Sequence, residues 1–271
     1  MSGPARIATA LSRPNVLERA TGRWWQYHSR SDHHSKIACV FVLADLIERC
    51  PLLARHARDG RVFFGLNHEM RDFRLSRKKD LDFVLCTAAG QATDTSLFDL
   101  AASYGIAADL PADQVKLAGA LRRAPVGAVL VALEAKACMT AHVKALPRLY
   151  DELNSSQQTV HGASQEALAA GFVMINAATT FVTPSNGRTN VHRQPADTAR
   201  TLAKVRELPR RAKIDEDGYD ALGVVVVDCR NDGSPVSVVE GPPAPTKADI
   251  DHYERMIDRL AALYASRFKE L

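Results

Sequence analysis

The chain has 271 residues, 46% hydrophobic and 24% charged, enough to bury a substantial core in one large domain or two small ones. A net charge of +4 says little by itself about partners, and no apolar run approaches the ~20 residues of a membrane span. Met1-Ser2-Gly3-Pro4 opens no signal-peptide core, and the five scattered cysteines argue for buried free thiols in a reducing cytoplasm over disulfides or a zinc site.

In chain order, little periodicity precedes Trp24-Trp25-Gln26-Tyr27, an aromatic group expected to pack on the core. Ile37, Val40, Phe41, Ala44 and Ile47 recur at helical spacing. They predict a helix from Ser35 to about Glu48, capped by Ser31 or Ser35 and followed by Pro51. Arg61 to Leu66 reads as a strand and Leu81 to Cys86 as a second. Residues 87–125 read as a helical insertion, with pieces at Ser96 to Tyr104 and Gln114 to Arg122 forming a hairpin over one edge of a site. Val126 to Lys136 is the third strand.

Val143, Leu146, Leu149 and Leu153 then repeat at helical intervals, although Pro147 demands a kink or a late start. Asn154 to Gly162 is polar and uncharged and reads as a loop; Gly171 to Asn176 is a fourth strand. Further on, Thr198 to Leu208 is helical, and Leu222 to Asp228 and Pro235 to Val239 are strands. Past the break at Pro242 to Pro245, Thr246-x-x-Asp249 reads as a capping box. It opens an amphipathic helix through Ile250, Tyr253, Ile257, Leu260 and Leu263. The expected fold is α/β: one domain over 1–271, with a core at about 31–180, the insertion at about 87–125 and a C-terminal extension at about 190–271.

Chemistry concentrates on two of these strands. Asp80-Leu81-Asp82-Phe83 carries acids at alternate positions, and Val129 to Lys136 ends in Glu134-Ala135-Lys136. Side chains two apart share a strand face, so Glu134 and Lys136 are expected to point together, as are Asp80 and Asp82. Two carboxylates converging from neighbouring strands make a hard oxygen site suited to Mg²⁺, with Mn²⁺ as a substitute. Such an ion acidifies bound water and stabilises charge on a phosphate, and an adjacent lysine adds a point charge. No Gly-x-Ser-x-Gly elbow, P-loop or zinc-spaced cysteine pair competes with this reading.

Asp82, Glu134 and Lys136, on apolar strands in this order, resemble the PD-(D/E)xK nuclease superfamily, which includes restriction endonucleases and Holliday-junction resolvases. The Pro-Asp dipeptide is missing; Lys79-Asp80 or Leu81-Asp82 stands in its place. The resemblance implies a restriction-endonuclease-like αβββαβ core with a mixed central sheet flanked by helices, here with additional C-terminal strands and a helix. It implies a metal-dependent endodeoxyribonuclease in restriction or anti-phage defence. Asp82, Glu134 and Lys136 would be the catalytic residues, Asp82 and Glu134 holding the metal and Lys136 positioning the nucleophilic water, with Asp80 an auxiliary ligand. DNA is the expected partner, contacted by Lys78, Lys79, Lys144, Arg148, Ser35 and Lys36, with Asn154 to Gly162 either near a groove or a plain surface loop. The basic runs Arg71 to Lys79 and Arg206 to Lys213 suit phosphate contacts or solvated faces alike. A homodimer through the C-terminal helix, with an activating protein as a further partner, completes the expectation. The alternatives are a non-catalytic nucleic-acid-binding or scaffold protein on the same fold, and a repair or resolvase-type nuclease preferring branched or single-stranded DNA.

Overall fold

The computed structural model describes every residue except Ala20 and Arg74. Its frame is a mixed six-stranded sheet. β3 (Phe63–Asp72), β4 (Arg77–Ala88) and β5 (Val126–Cys138) form an antiparallel meander. β6 (Leu168–Asn176) and β9 (Ala221–Asp228) continue it in parallel, and β10 (Ser237–Val238) closes the edge antiparallel. β6 is buried at every position and β9 at all but its last, as expected of parallel strands covered on both faces. The C-terminal extension therefore belongs to the same sheet as the core.

Helices cover both faces. α2 (His33–Arg49) carries apolar residues around nearly its whole circumference and lies under the meander, flanked by α1 (Gly3–Leu11) and α8 (Tyr253–Arg267). α6 (His142–Ala163) and α7 (Ala196–Arg206) cover the other face over a second apolar cluster. Two small hairpins, β1 (Val16–Glu18) with β2 (Arg23–Trp25) and β7 (Thr180–Val182) with β8 (Thr189–Val191), lie outside the sheet. No helix among the described residues is long and apolar enough to cross a membrane, and all five thiols are buried.

The helix expected at Ser35 and all six expected strands are present, with β3 and β4 extending well beyond the predicted limits. Other expectations give way. Pro51 does not merely follow a helix: it opens α3 (Pro51–Arg58), where its fixed φ suits the first turn. α1, in the stretch that shows no clear period, packs on α2. The insertion folds as α4 (Leu97–Ser103) and α5 (Ala112–Ala120), which pack on α2 and α3 and contribute no lining residue to the cleft described below. Asn154 to Gly162 is not a loop but the second half of α6, which runs straight through Pro147. Its polar residues hide the helical period because they are buried in pairs with the β9 approach: Gln157 accepts from the Gly218 amide at 2.9 Å, and His161 meets the Gly218 carbonyl at 2.9 Å. The Thr246–Asp249 pair closes a local turn, while the final helix starts later, its first turn capped by His252. That helix buries Tyr253, Ile257 and Leu260 inside the protein, so its apolar stripe is not free to form a dimer interface.

Candidate active site

β4 and β5 stay paired up to Phe83↔Leu133, and no pair follows at Asp82. There the Asp82 carboxylate substitutes for a ladder bond: its Oδ2 accepts from the Ala135 amide at 3.0 Å. Alternation along β4 breaks at this point. Leu81 packs in the cluster under α6, whereas Phe83 and Leu85 pack on the α2 side. Asn67, between the register partners of Leu81 and Phe83, adopts a φ of +48°, a left-handed conformation asparagine tolerates.

The Asp82 carboxylate is held on its other side by the first turn of α2. Lys36, 2% exposed, places its Nζ 3.1 Å from Asp82 Oδ1, 3.0 Å from the Asp82 carbonyl and 2.6 Å from Asn67 Oδ1. These three acceptors use all the ammonium protons. The Ser35 hydroxyl donates to Oδ1 at 3.2 Å. Burial alone would raise the Asp82 carboxyl pKa, but Lys36, Lys136 and the Ala135 amide outweigh it and hold it below the usual range.

Glu134 lies on the α6 side of the sheet and is 2% exposed. Its Oε1 is 2.5 Å from Lys136 Nζ and 3.6 Å from Lys79 Nζ, while Oε2 has no hydrogen-bond partner among the described residues. Burial pushes this carboxyl up, against the pull of Lys136. Lys136 stands nearer the solvent, and burial works to lower its pKa. Glu134, Asp82 and Glu152 together prevail, so the ammonium is held above its ordinary value. Across β5–β6, Gly171 pairs with Glu134; a Cβ there would collide with Leu222 and press on the Tyr219 ring beside the site.

A cleft of ≈ 450 Å³ opens over these groups, lined among others by Asp82, Lys136, Asp32, Ser35, Arg148 and Glu152. Glu134 is not in its wall but behind Lys136. Glu152, from α6, was not anticipated: its Oε2 lies 3.8 Å from Lys136 Nζ and its Oε1 2.6 Å from Arg148 Nε. The i,i+4 spacing of Arg148 and Glu152 was the available signal.

Asp82, Glu134 and Lys136 thus come together, but several companions do not. Asp80 is exposed, faces Glu69 in register and lines no part of the cleft, so nothing here supports it as an auxiliary ligand. Lys36 is a support for Asp82 rather than a phosphate contact, since burial leaves it no free proton. Lys79 likewise turns inward to the Glu152 carbonyl. Ser35 is buried, though it edges the cleft. Lys144 and Arg148 remain exposed on α6, and Lys78 on the β3–β4 hairpin. Arg74, in the same basic run, lies outside the described residues. In the second run Arg211 is buried against Asp220 at 2.9 Å and Arg206 pairs with Asp251 at 2.8 Å, while Arg206 and Lys213 stay exposed.

Toward a divalent ion the two acids differ: Glu134 Oε2 is a buried acceptor with no partner among the described residues, whereas both Asp82 oxygens already accept, Oδ1 from Lys36 and Ser35 and Oδ2 from the Ala135 amide. Among the described residues no group of three His, Cys, Asp or Glu side chains gathers as a metal site. Such an ion would take two protein carboxylates and keep several waters, as Mg²⁺ does. Comparison of the chain with protein-family models, with curated proteins and with solved structures finds no match.

Proposed function

We propose that the chain is a Mg²⁺-dependent endodeoxyribonuclease with a restriction-endonuclease-like core. The observation that carries the reading is the Asp82 carboxylate seated on the amide of Ala135, the residue between Glu134 and Lys136, at the floor of a cleft. The succession α2, β3, β4, β5, α6, β6, interrupted by α3 after α2 and by α4 and α5 after β4, supports it, being the αβββαβ order the resemblance implies with insertions.

Asp82 and Glu134 would hold the ion, which would supply Lewis-acid stabilisation of the phosphate and a more acidic water. The chain's own residues do the rest. Lys36 and Ser35 keep Asp82 ionised and fixed. Lys136, cationic throughout, leaves Glu134 to donate to the attacking water and to the phosphate oxygen on which charge develops. Arg148, on the cleft rim, pairs with a flanking phosphate. Restriction or anti-phage defence, and a homodimer cutting both strands, are the setting we propose for it.

Plasmid, linear duplex and single-stranded DNA, incubated with Mg²⁺, Mn²⁺ or EDTA, test the reading. Metal-dependent cutting by the wild type, lost in K136A and E134A while DNA binding persists, is expected. Preference for single-stranded or branched arms would mark a repair or resolvase-type enzyme instead. A second reading, a nucleic-acid-binding scaffold, is favoured by the two lysine–carboxylate pairs, Lys36–Asp82 and Lys136–Glu134, that neutralise the acids. It predicts binding with no cleavage under any metal.

A further inference from the structure

Beyond the last β4–β5 pair, β3 and β4 continue alone as a two-stranded ribbon, paired from His68↔Leu81 to Asp72↔Arg77. One side of the ribbon rests on α6. Lys79 donates to the Glu152 carbonyl, and Arg77 donates to Gln158 at 2.7 Å. Gly162 lies so close beneath Asp72 that a Cβ there would overlap its carboxyl group. The same helix lines the cleft nearer its start, with Arg148 and Glu152. The ribbon and the cleft are therefore held in fixed relation by one rigid element.

At the tip, between Asp72 and Arg77, Phe73 is 79% and Leu75 57% exposed. Arg71, Arg77 and Lys78 flank them at the surface, with Glu69 bridging Arg71 at 2.9 Å and Lys78 at 3.0 Å. Two bulky apolar side chains kept in water at the end of a supported ribbon call for an occupant. The surrounding cations select a polyanion, and the apolar tips suit the space between stacked bases.

We infer that the β3–β4 hairpin is a wedge that enters a groove of duplex DNA, its cations on the phosphates and Phe73 and Leu75 against or between the bases. The inference rests on the nuclease reading. It also fixes a place. Arg77 precedes Asp82 by five positions, so the tip stands about 17–20 Å along the strand from the site. At ~3.4 Å per base pair, the distorted step lies about 5–6 base pairs from the cut phosphate.

The test uses duplexes carrying 2-aminopurine at successive positions and the full-length protein in a K136A background, so that the DNA stays intact. A fluorescence rise at a step about 5–6 base pairs from the wild-type cut is expected. Adding F73A/L75A should abolish that rise and weaken duplex binding by about tenfold. Both residues are exposed, so thermal unfolding should not shift. R77A should weaken binding yet keep the rise. No rise at any position, or undiminished binding by F73A/L75A, overturns the wedge while leaving the nuclease reading intact. So does binding of phosphatidylserine vesicles that F73A/L75A loses while duplex affinity is kept. A wild type that neither binds nor cuts any DNA removes the nuclease reading itself.

Discussion

Glu134 on β5 and Asp220, just ahead of β9, are both almost fully buried carboxylates set against cations, and they differ in how completely they are answered. Asp220 accepts from Arg211 Nε at 2.9 Å and from the Ala169 amide at 2.8 Å, with Arg267 at 3.5 Å and His161 at 3.7 Å. Both its oxygens are satisfied. Glu134 has one oxygen on Lys136 and the other without a hydrogen-bond partner among the described residues. A carboxylate serving only architecture is saturated by its neighbours; one kept for an incoming partner holds an acceptor in reserve, at a cost in desolvation. One sheet of this chain thus carries a saturated carboxylate and one with an oxygen unanswered among the described residues.

The sharpest way to break the comparison is to remove each acid in turn. D220A leaves Arg211 buried and unpaired, and should cost about 3–5 kcal/mol in urea unfolding. E134Q keeps the shape while removing the buried charge, so stability should hold or rise. Equal destabilisation by both would show Glu134 to be structural as well. Next in size, E134Q and K136A should each lower Mg²⁺-dependent cleavage by about 10²–10³-fold in single-turnover assays; K136A, which leaves Glu134 buried without its counterion, should also lower the unfolding midpoint, whereas E134Q should not.

Acid should weaken the Asp220 region in particular. Burial, aided by the Arg211 charge, presses the His161 pKa down to about 4. The unfolded chain takes up that proton near pH ~6.5, before the folded one does. Stability from this group is thus complete above about pH 6.5, falls as pH drops toward about 4, and is then flat, a loss of at most about 3 kcal/mol. Urea titrations at pH 7 and pH 4.5 measure it, and H161Q should flatten the profile across that window. The smallest expected effect belongs to the exposed Arg148–Glu152 pair, where R148A should cost under about 0.5 kcal/mol of stability. It should weaken DNA binding and lower the salt slope by ~1 if Arg148 meets a phosphate.

Much of this was legible in the sequence. The apolar periods of Ile37 to Ile47 and of the strands around Asp82, Lys136, Gly171 and Val224 are local signals, and they give the order of the sheet strands after α2 and put Asp82, Glu134 and Lys136 on neighbouring strands, but not α1, α3 or the two small hairpins. Segments whose burial is shared between distant partners were not legible. Gln157 and His161 look like loop residues until Gly218 comes back to meet them. Lys36 looks like a surface cation until Asn67 turns left-handed beneath it.

Composition and spacing by themselves determined the α/β class, the strands that carry the acids, and the pairing of Glu134 with Lys136 on one face, because these follow from period-two geometry within a few residues. Only the tertiary structure decided that Asp82 leaves its ladder to bind the Ala135 amide, that Asp80 stays outside, that Glu152 joins from α6, and that Lys36 is buried as a counterion. Those outcomes depend on where strands separate and which charges must be neutralised away from water, a balance among groups that no stretch of sequence contains.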